Sequence, residues 1–427
     1  MRTIPLAAWW ILVLMTVDSI LGMIDRNAVS VLKTTLKGVF RIDDTHYSWL
    51  VTAFMVPFAL FYVITGRWAD RWGSRRTLTA FVLVWSAASI WCGLASTFGE
   101  MVIGRAFLGA AEAGLLPASM IALVTWFPRD RLATVYAIKN PLQALGPILT
   151  PPVVAALALN YGWRSAFILP GLIGIGFALL WWFADRRPPV YPGETVEPPA
   201  SRATILGLLG RRALWGVLLF RLVSDPVWFF FQYWQAGYLQ ERLGASLADV
   251  GQLLWIPPAI NAVATFATAT WSDRMVRQGR PGASARLKVM FALVPLSLLI
   301  ALLPLVRGTG LTVAIFTTTY ILSYTWLYLS NIMIADLFPR AEVGTAVGLV
   351  NCVGTAGAAL FNFAAGPVID AWGYTPIFLM CAAMHPAAAA IAWWFYGRGG
   401  ASAKAPPSRG HSETMPVSTP AAASEAR

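Results

Sequence analysis

The sequence predicts an all-α membrane protein in which twelve transmembrane helices form two six-helix bundles. Of the 427 residues, 57% are hydrophobic and only 12% are charged, a balance that is typical of polytopic membrane proteins. Charged and Pro- or Gly-rich breaks divide the chain into twelve apolar stretches of about 20 residues, the length that a membrane helix requires. Because lipid offers the backbone no hydrogen-bond partners and the stretches lack an alternating pattern, we expect helices rather than a barrel.

The first six stretches predict one bundle at 1–184. They are expected near 7–32, 47–66, 77–97, 100–125, 133–158 and 165–184. A polar, Pro-containing segment opens after them at Asp185 and continues through Arg212, which is long enough to separate two bundles. We therefore interpret 185–212 as a cytoplasmic linker.

The remaining stretches predict a second bundle at 213–396. They are expected near 213–239, 248–271, 287–306, 311–335, 344–368 and 375–396. From Gly397 the chain is rich in Gly, Ala, Ser and Pro and has almost no large apolar residues. Such a composition cannot bury enough apolar surface to fold, so 397–427 is predicted to be a disordered cytoplasmic tail.

The distribution of Lys and Arg predicts the orientation in the membrane. The net charge of +12 could suggest a nucleic-acid partner, but the basic residues sit in short breaks between apolar runs. They are concentrated in the loops on the side of both termini, so the positive-inside rule places both termini in the cytoplasm. We expect a monomer that is embedded in the lipid bilayer of a bacterial-type inner membrane and has no nucleic-acid partner.

Two adjacent charges, Asp25 and Arg26, lie inside the first apolar stretch. A charged side chain at the centre of a membrane helix costs about 2.5–3.5 kcal/mol on insertion scales, and such residues usually face a bundle interior or a water-filled cavity. The two charges could form a mutually neutralising pair that holds helices together. The interpretation that we favour is a site for a substrate anion and protons.

Arg105 and Glu112 add two more charges on the fourth span. They are seven residues apart, which is two helical turns or about 10 Å, so both can face one cavity without contacting each other closely. A guanidinium stays charged in a low-dielectric cavity and offers two parallel N–H groups to a carboxylate. We therefore predict that Arg26 and Arg105 bind the substrate carboxylate and that Asp25 and Glu112 carry the coupled protons. When ionised, both carboxylates are expected to pair with the arginines. Such an ion-pair network is compatible with a structural role as well as with transport.

Further polar and aromatic residues within the spans are candidate substrate contacts. Buried amides commonly form hydrogen bonds across helix bundles, so each could instead have a structural role. The candidates are Lys139 and Gln143 on the fifth span, Trp234 on the seventh, Asn331 on the tenth and Asn362 on the eleventh. Weaker candidates of the same kind are Arg221, Asp225 and Asn351, and the role of Asp18 is left open.

The loop between the second and third spans combines glycines, an acidic residue and several arginines. Its pattern Gly-x-x-x-Asp-Arg-x-Gly-x-Arg-Arg is more specific than the general excess of basic residues in cytoplasmic loops. The carboxylate can accept hydrogen bonds from a neighbouring helix end while the arginines remain in the cytoplasm, so we predict that this loop gates the inner face. The predicted gating residues are Gly66, Asp70, Arg71, Gly73, Arg75 and Arg76.

Residues 66–76 resemble the signature loop of the major facilitator superfamily, and the six-plus-six layout from Thr3 to about Tyr396 is similar to that superfamily. The resemblance implies two six-helix bundles, each a pair of inverted three-helix repeats, around one central site. Several shorter segments resemble the anion:cation symporter family, and within it the hexuronate and sugar-acid branch. They include Ile24-Asp25-Arg26, residues 105–114, 126–128, 162–167, 225–231 and 336–339.

The two resemblances imply a secondary transporter that takes up a small organic anion, such as a hexuronate or an aldonate, with protons by alternating access. The sequence departs from the sugar-acid branch at Gly22, Met23 and Phe58, where that branch carries a polar residue and two tyrosines. The loss of hydroxyl and amide partners suits a less hydroxylated ligand, because hydrogen-bonding pockets reject ligands that leave their polar groups unpaired.

Other functions remain as alternatives. An exchanger or exporter of a less hydroxylated mono- or dicarboxylate could use the same arginines without net proton uptake. A membrane receptor or sensor is disfavoured because the sequence shows no signalling domain. An enzyme is disfavoured because the sequence has no metal-ligand cluster, nucleophile elbow or Walker-type loop, so we expect neither a metal nor a cofactor.

Overall fold

The computed structural model describes residues 4–186, 188–189 and 205–397, and within these residues the chain is helical, with no strand. Arg187 and residues 190–204 of the predicted linker, together with 398–427 of the predicted tail, lie outside the described residues. The domain boundaries at the linker and the tail therefore stay predictions.

The described part of the first bundle contains eight α-helices and the short 3-10 helix Arg129–Arg131. The α-helices are α1 Leu6–Val31, α2 Lys33–Phe40, α3 Asp44–Leu94, α4 Phe98–Glu112, α5 Leu115–Trp126, α6 Leu132–Gln143, α7 Leu145–Tyr161 and α8 Ser165–Ala184. The second and third spans are the two parts of α3, which is interrupted at Gly73, where φ is 72° and ψ is 173°. Glycine adopts this region readily because it has no Cβ. The fourth and fifth spans each consist of two consecutive helices.

The second bundle follows the same plan. Its helices are α9 Ile205–Leu209, α10 Arg212–Leu243, α11 Leu247–Leu253, α12 Ile256–Arg277, α13 Gly282–Leu293, a 3-10 helix Val294–Leu305, α14 Thr309–Leu337, α15 Arg340–Trp372 and α16 Thr375–Tyr396. The short helix α9 lies in the segment that was predicted as a polar linker. Among the described residues, ten segments are long and apolar enough to cross a membrane. The first part of α3 and the Thr- and Tyr-rich α14 complete the predicted twelve, so the fold class is confirmed.

Small residues bring the charged helices of the first bundle close together. A Cβ atom at Gly109 would lie 2.1 Å from the carbonyl oxygen of Phe54, so only glycine allows α4 to approach α3 this closely. Arg105 and Glu112 flank Gly109 on α4. The close approach therefore positions both charges against the neighbouring spans.

The two bundles are joined mainly on the side of the molecule where α2 lies, which we call the outer side. Its position away from the predicted cytoplasmic loops makes it the predicted extracellular side. Here Ser30 donates a hydrogen bond of 2.7 Å to the carbonyl oxygen of Gln232, and Tyr47 donates one of 2.7 Å to that of Tyr233. In the described part of the chain, Cys352 makes the polar contact between the bundles that lies furthest from the outer side. Its Sγ lies 3.8 Å from the carbonyl oxygen of Ala59.

Candidate functional site

An ion pair between Arg26 and Glu112 joins the first and fourth spans. Two nitrogens of Arg26, Nε and Nη2, donate to the same oxygen of Glu112, Oε2, at 3.0 Å and 2.7 Å. The Glu112 side chain is fully buried, and that of Arg26 is 16% exposed. The second oxygen of Glu112, Oε1, has no hydrogen-bond partner among the described residues. Oε1 of Glu112 can therefore accept a hydrogen bond from a ligand or bind a proton.

The Asp25 carboxylate faces a different neighbour. It is fully buried, and its Oδ1 accepts a hydrogen bond of 2.6 Å from the Ser89 hydroxyl on the third span. Its Oδ2 has no partner within the described part of the chain. The predicted pairing with an arginine is thus found for Glu112 but not for Asp25. Consecutive helix residues project about 100° apart, so the side chains of Asp25 and Arg26 face different neighbours, Ser89 and Glu112.

Arg105 lies beside both of these groups. Its Nη1 and Nη2 approach the carbonyl oxygens of Asp25 and Arg26 at 3.4 Å, and its Nε approaches that of Leu50 at 3.5 Å. These distances exceed the usual 2.7–3.2 Å range, so the hydrogen bonds are weak. The guanidinium is buried and lies 4.6 Å from the centre of the Phe54 ring.

Aromatic rings bring the two arginines into one neighbourhood. The Arg26 guanidinium lies 5.4 Å from the centre of the same Phe54 ring and 4.7 Å from that of Phe58. Both arginines that are predicted to bind the substrate therefore lie close to the Phe54 ring in the first bundle.

Lys139 and Gln143 of the fifth span lie near Asp18 and Ser19 on α1. Lys139 is buried and lies in electrostatic range of the buried Asp18. Neither carboxylate oxygen of Asp18 has a hydrogen-bond partner among the described residues. Gln143 donates a hydrogen bond of 3.2 Å to the hydroxyl of Ser19. The structure thus places both candidates against α1, on the turns that precede Asp25.

Trp234 and Asn362 contact each other. The indole nitrogen of Trp234 donates to Oδ1 of Asn362 at 2.9 Å, and Nδ2 of Asn362 donates to the carbonyl oxygen of Ala358 at 2.8 Å. Both side chains are buried. Their polar groups are satisfied by one another, so in this state they hold α10 to α15, and their predicted substrate contact stays a prediction.

The gating loop packs against the end of the sixth span. Arg75 donates a hydrogen bond of 2.7 Å to the carbonyl oxygen of Trp182 and lies 3.9 Å from the centre of its ring. The Asp185 carboxylate accepts from Ser74 at 2.5 Å and from the Trp126 indole at 2.6 Å. Burial raises the pKa of Asp185, although these two hydrogen bonds and the charge of Arg75 oppose the shift.

The remaining gating candidates make fewer contacts that can be described. Arg71 and Arg76 are exposed. The backbone of Gly66 and Asp70 belongs to α3, but the Asp70 side chain lies outside the described residues. The gating role of this loop therefore stays a prediction.

A charged cluster that the sequence analysis missed joins the bundles on the outer side. We call it the outer cluster, and it consists of Lys33, Lys37, Asp44, Glu241 and Tyr374. The Lys33 ammonium lies 2.6 Å from the Asp44 carboxylate, 3.0 Å from that of Glu241 and 2.6 Å from the Tyr374 hydroxyl. Lys37 contacts the same two carboxylates at 2.9 Å and 3.0 Å. These contacts bridge the loop after the first span to the second bundle.

Lys33 is the centre of the outer cluster. It is fully buried and lies 4.6 Å from the centre of the Trp234 ring. Burial lowers the pKa of its ammonium, while Asp44 and Glu241 oppose that shift. In the sequence, Lys33 is one of the basic residues that follow the first apolar stretch. The spacing of Lys33 and Lys37, one helical turn apart and followed by Asp44, is a signal only for the part of the cluster that belongs to the first bundle.

The chain matches a family model over most of its length. The model of the Major Facilitator Superfamily covers residues 16–329. This range includes the Asp25 and Arg26 pair, the fourth span and the gating loop.

The chain is also similar to curated transporters. It is 24% identical over 421 residues to the hexuronate transporter of Escherichia coli (strain K12), an alignment that covers 92% of this chain and 95% of that protein. It is 26% identical over 348 residues to a protein of Cupriavidus necator named "Probable sulfoacetate transporter", covering 78% of this chain and 80% of that protein.

A solved structure shows the same fold. It is a bacterial homologue of the human lysosomal transporter Spinster, in an inward-facing and unoccupied conformation, and it matches with a TM-score of 0.72. The sequences are 19% identical, and the match covers 91% of this chain and 94% of that chain. At this identity the likeness shows the fold alone.

Proposed function

Because this chain belongs to the major facilitator superfamily, whose members are transporters and not enzymes, we propose that it imports a small organic anion together with protons. The observation that carries the proposal is the buried Arg26–Glu112 pair, which leaves one carboxylate oxygen without a described partner. A sugar acid of the hexuronate or aldonate type is the proposed substrate class. The similarity to a hexuronate transporter supports this class.

Competition for Arg26 is the proposed coupling step. While Glu112 is ionised, it occupies the guanidinium that the substrate carboxylate requires. A proton on Glu112 removes its charge and frees the N–H groups of Arg26 for the anion, and Arg105 supplies a second positive charge. Binding the proton and the anion together keeps the charge of the site nearly constant, which matters because uncompensated charge is expensive at membrane depth.

Asp25 is the second proposed proton carrier. One of its oxygens accepts from Ser89, and the other has no described partner. A proton can therefore bind to Oδ2 while the hydrogen bond from Ser89 remains in place.

Alternating access requires the outer cluster to open and the inner side to close. The described contacts join the bundles on the outer side through Lys33 and Glu241. In the opposite state we expect the gating loop around Asp70 to hold the inner side. The proposal includes a monomer in a bacterial-type inner membrane with both termini in the cytoplasm, which the placement of the basic loops supports.

Transport by the protein in liposomes tests this function. The measurement is uptake of radiolabelled D-galacturonate with and without an inwardly directed proton gradient. Accumulation that depends on the gradient is expected. Counterflow without accumulation would point to an exchanger, and saturable binding without any flux would contradict transport and favour a receptor.

A less hydroxylated anion is a second candidate substrate. The Arg26 guanidinium lies against the apolar rings of Phe54 and Phe58, which offer no hydroxyl to a sugar. Competition for uptake decides between the two classes. If sulfoacetate, which has no hydroxyl, inhibits uptake at much lower concentration than galacturonate, the sugar-acid assignment is wrong.

A further inference from the structure

Lys33 of the first bundle reaches into a recess of the second bundle. A Cβ atom at Gly237 on α10 would overlap Cδ of Lys33, so the glycine leaves room for this side chain. The ammonium at its end lies 4.6 Å from the centre of the Trp234 ring and 5.2 Å from that of Tyr374. Glu241, one helical turn after Gly237, closes the recess with an ion pair of 3.0 Å. The burial of Lys33 therefore depends on groups that belong to the other bundle.

The charges of the outer cluster divide unequally between the bundles. Lys33, Lys37 and Asp44 belong to the first bundle, whereas Glu241 lies on α10 in the second. Both ammonium groups contact Glu241 at 3.0 Å, and among the described residues these two contacts are the ion pairs that cross between the bundles. When the bundles separate on the outer side, Glu241 leaves with α10. Two positive charges and one negative charge then remain on the first-bundle side, a net charge of +1 in place of a neutral cluster.

The ion pair within the second bundle has no such asymmetry. Arg221 donates to Asp225 at 2.6 Å, to Ser330 at 2.8 Å and to Asn331 at 3.2 Å. These three partners belong to the second bundle, so separating the bundles removes none of them. The predicted contact of Asn331 with the substrate stays a prediction, and the charge that is freed by separation belongs to the outer cluster.

The freed lysines lie on the same side of the first span as Arg26. Lys33 follows Arg26 by seven residues, which is about 20° short of two full turns and about 10 Å of rise. The hydrogen bonds of the helix continue between them, since the Leu32 amide donates to the carbonyl oxygen of Ala28 at 3.0 Å and the Leu36 amide to that of Leu32 at 2.8 Å. An anion bound at Lys33 therefore lies two turns outward of the guanidinium that is predicted to receive it.

We propose that Lys33 and Lys37 form an entry site on the outer side, where a carboxylate of the incoming anion takes the place of Glu241. This inference rests on the proposed function and adds a second site, separate from Arg26 and Arg105. An ammonium is a point charge with rotatable donors and lacks the rigid fork of a guanidinium, so it suits a site that holds the anion briefly. When the outer side closes again, Glu241 competes for the same lysines and displaces the anion toward Arg26.

Lys33→Gln and Glu241→Gln break the same ion pair from opposite sides and form a matched pair of variants. Both remove a contact that joins the bundles, so labelling of outer-side cysteines is expected to increase in both. They differ in the charge that is left for the anion. The half-saturation concentration for counterflow of D-galacturonate should rise several-fold in Lys33→Gln, because an ammonium is lost, and should not rise in Glu241→Gln, because the competing carboxylate is lost. A rise of similar size in both variants would make the cluster a gate only and would overturn the entry site.

Lys37→Gln keeps the test decisive if Lys33→Gln fails to insert. The Lys37 side chain is more exposed than that of Lys33, and the loss of its charge should also raise the half-saturation concentration. Arg41→Gln, at the exposed end of α2, removes an equal charge outside the cluster and is the matched control. If Arg41→Gln has the same effect as Lys37→Gln, the surface attracts anions in general, and the inference of an entry site is wrong.

Counterflow at equal pH on both sides does not depend on proton coupling, so it separates this inference from the proposed symport. If wild-type protein exchanges D-galacturonate without accumulating it, and the two variants of the ion pair differ as described, the inference holds and the symport is wrong. If wild-type protein accumulates the anion and Lys33→Gln and Glu241→Gln have equal half-saturation concentrations, the inference alone is overturned. A wild-type protein with neither activity overturns both.

Discussion

In the described part of the chain, each bundle has an arginine–carboxylate pair within its spans, Arg26–Glu112 in the first and Arg221–Asp225 in the second, and the two pairs differ in their hydrogen bonding. Arg26 and Glu112 lie on different helices, and two nitrogens of the arginine converge on one oxygen of the glutamate. Arg221 and Asp225 lie one turn apart on α10, and both oxygens of the aspartate accept from the arginine. Nη1 of Arg221 also donates to Ser330 on α14, and Nη2 donates to Asn351 on α15.

The difference separates a pair that can exchange its partner from one that cannot. If Glu112 is neutralised, a substrate carboxylate can take its place as an acceptor for Arg26 under the proposed function. If Asp225 is neutralised, the buried Arg221 loses the only carboxylate that contacts it among the described residues, and breaking such pairs is strongly destabilising. The first pair is therefore suited to a transport cycle and the second to holding helices α10, α14 and α15 together.

The largest expected effect is the loss of proton-driven accumulation in Glu112→Gln and Asp25→Asn. Each variant mimics the protonated carboxylate, so the anion should still bind and exchange at equal pH while failing to concentrate against a gradient. Uptake and counterflow in liposomes measure the two activities. Glu100→Gln, which changes a half-buried helix-capping residue on α4, is the control. Accumulation that survives in both variants would rule out this coupling site and favour Asp18.

The stability of the second pair is the next test. Asp225→Asn leaves the buried Arg221 without its counter-charge, so we expect a loss of about 3–5 kcal/mol of unfolding free energy. Glu112→Gln should cost less, because the Arg26 side chain is partly exposed. Unfolding of both purified variants in detergent gives the comparison. Equal losses for the two variants would contradict the distinction between the pairs.

The outer cluster provides a third ion pair, which would have to break in the proposed alternating-access cycle. Lys33→Gln leaves Asp44 and Glu241 without the buried ammonium, and removing one partner of a buried pair typically costs about 2 kcal/mol or more. We therefore expect labelling of outer-side cysteines to increase, as the outer side opens more often. Lys37→Gln, in the more exposed part of the cluster, should have a smaller effect.

Asp70→Asn is expected to shift labelling in the opposite direction, toward the state that is open to the cytoplasm. This follows from the predicted gating role of the loop. Unchanged labelling together with normal flux would remove that role.

The smallest expected effect is on anion affinity in Arg26→Lys. Lysine keeps the charge but loses the fork, so the half-saturation concentration should rise about tenfold while the protein still inserts. Arg105→Lys is expected to act in the same direction. If neither substitution changes the half-saturation concentration in transport assays, the assignment of the substrate carboxylate to these arginines is wrong.

The helical class, the twelve spans and the charged residues within them can be predicted from the sequence alone. These features are local, because the length of an apolar run and the presence of Arg26 or Glu112 inside it do not depend on the rest of the chain.

The pairing of the charged groups depends on the tertiary structure. Both Asp25 and Glu112 were expected to contact arginines, but the direction of each side chain depends on its helix face, and Asp25 faces Ser89 instead. Lys33 and Glu241 are 208 residues apart, so no local pattern could show that they meet. The oxygen of Glu112 that has no partner among the described residues, and the acceptors around Arg221 on α14 and α15, depend in the same way on neighbouring helices, because hydrogen-bond satisfaction is a property of packed surfaces and not of a single segment.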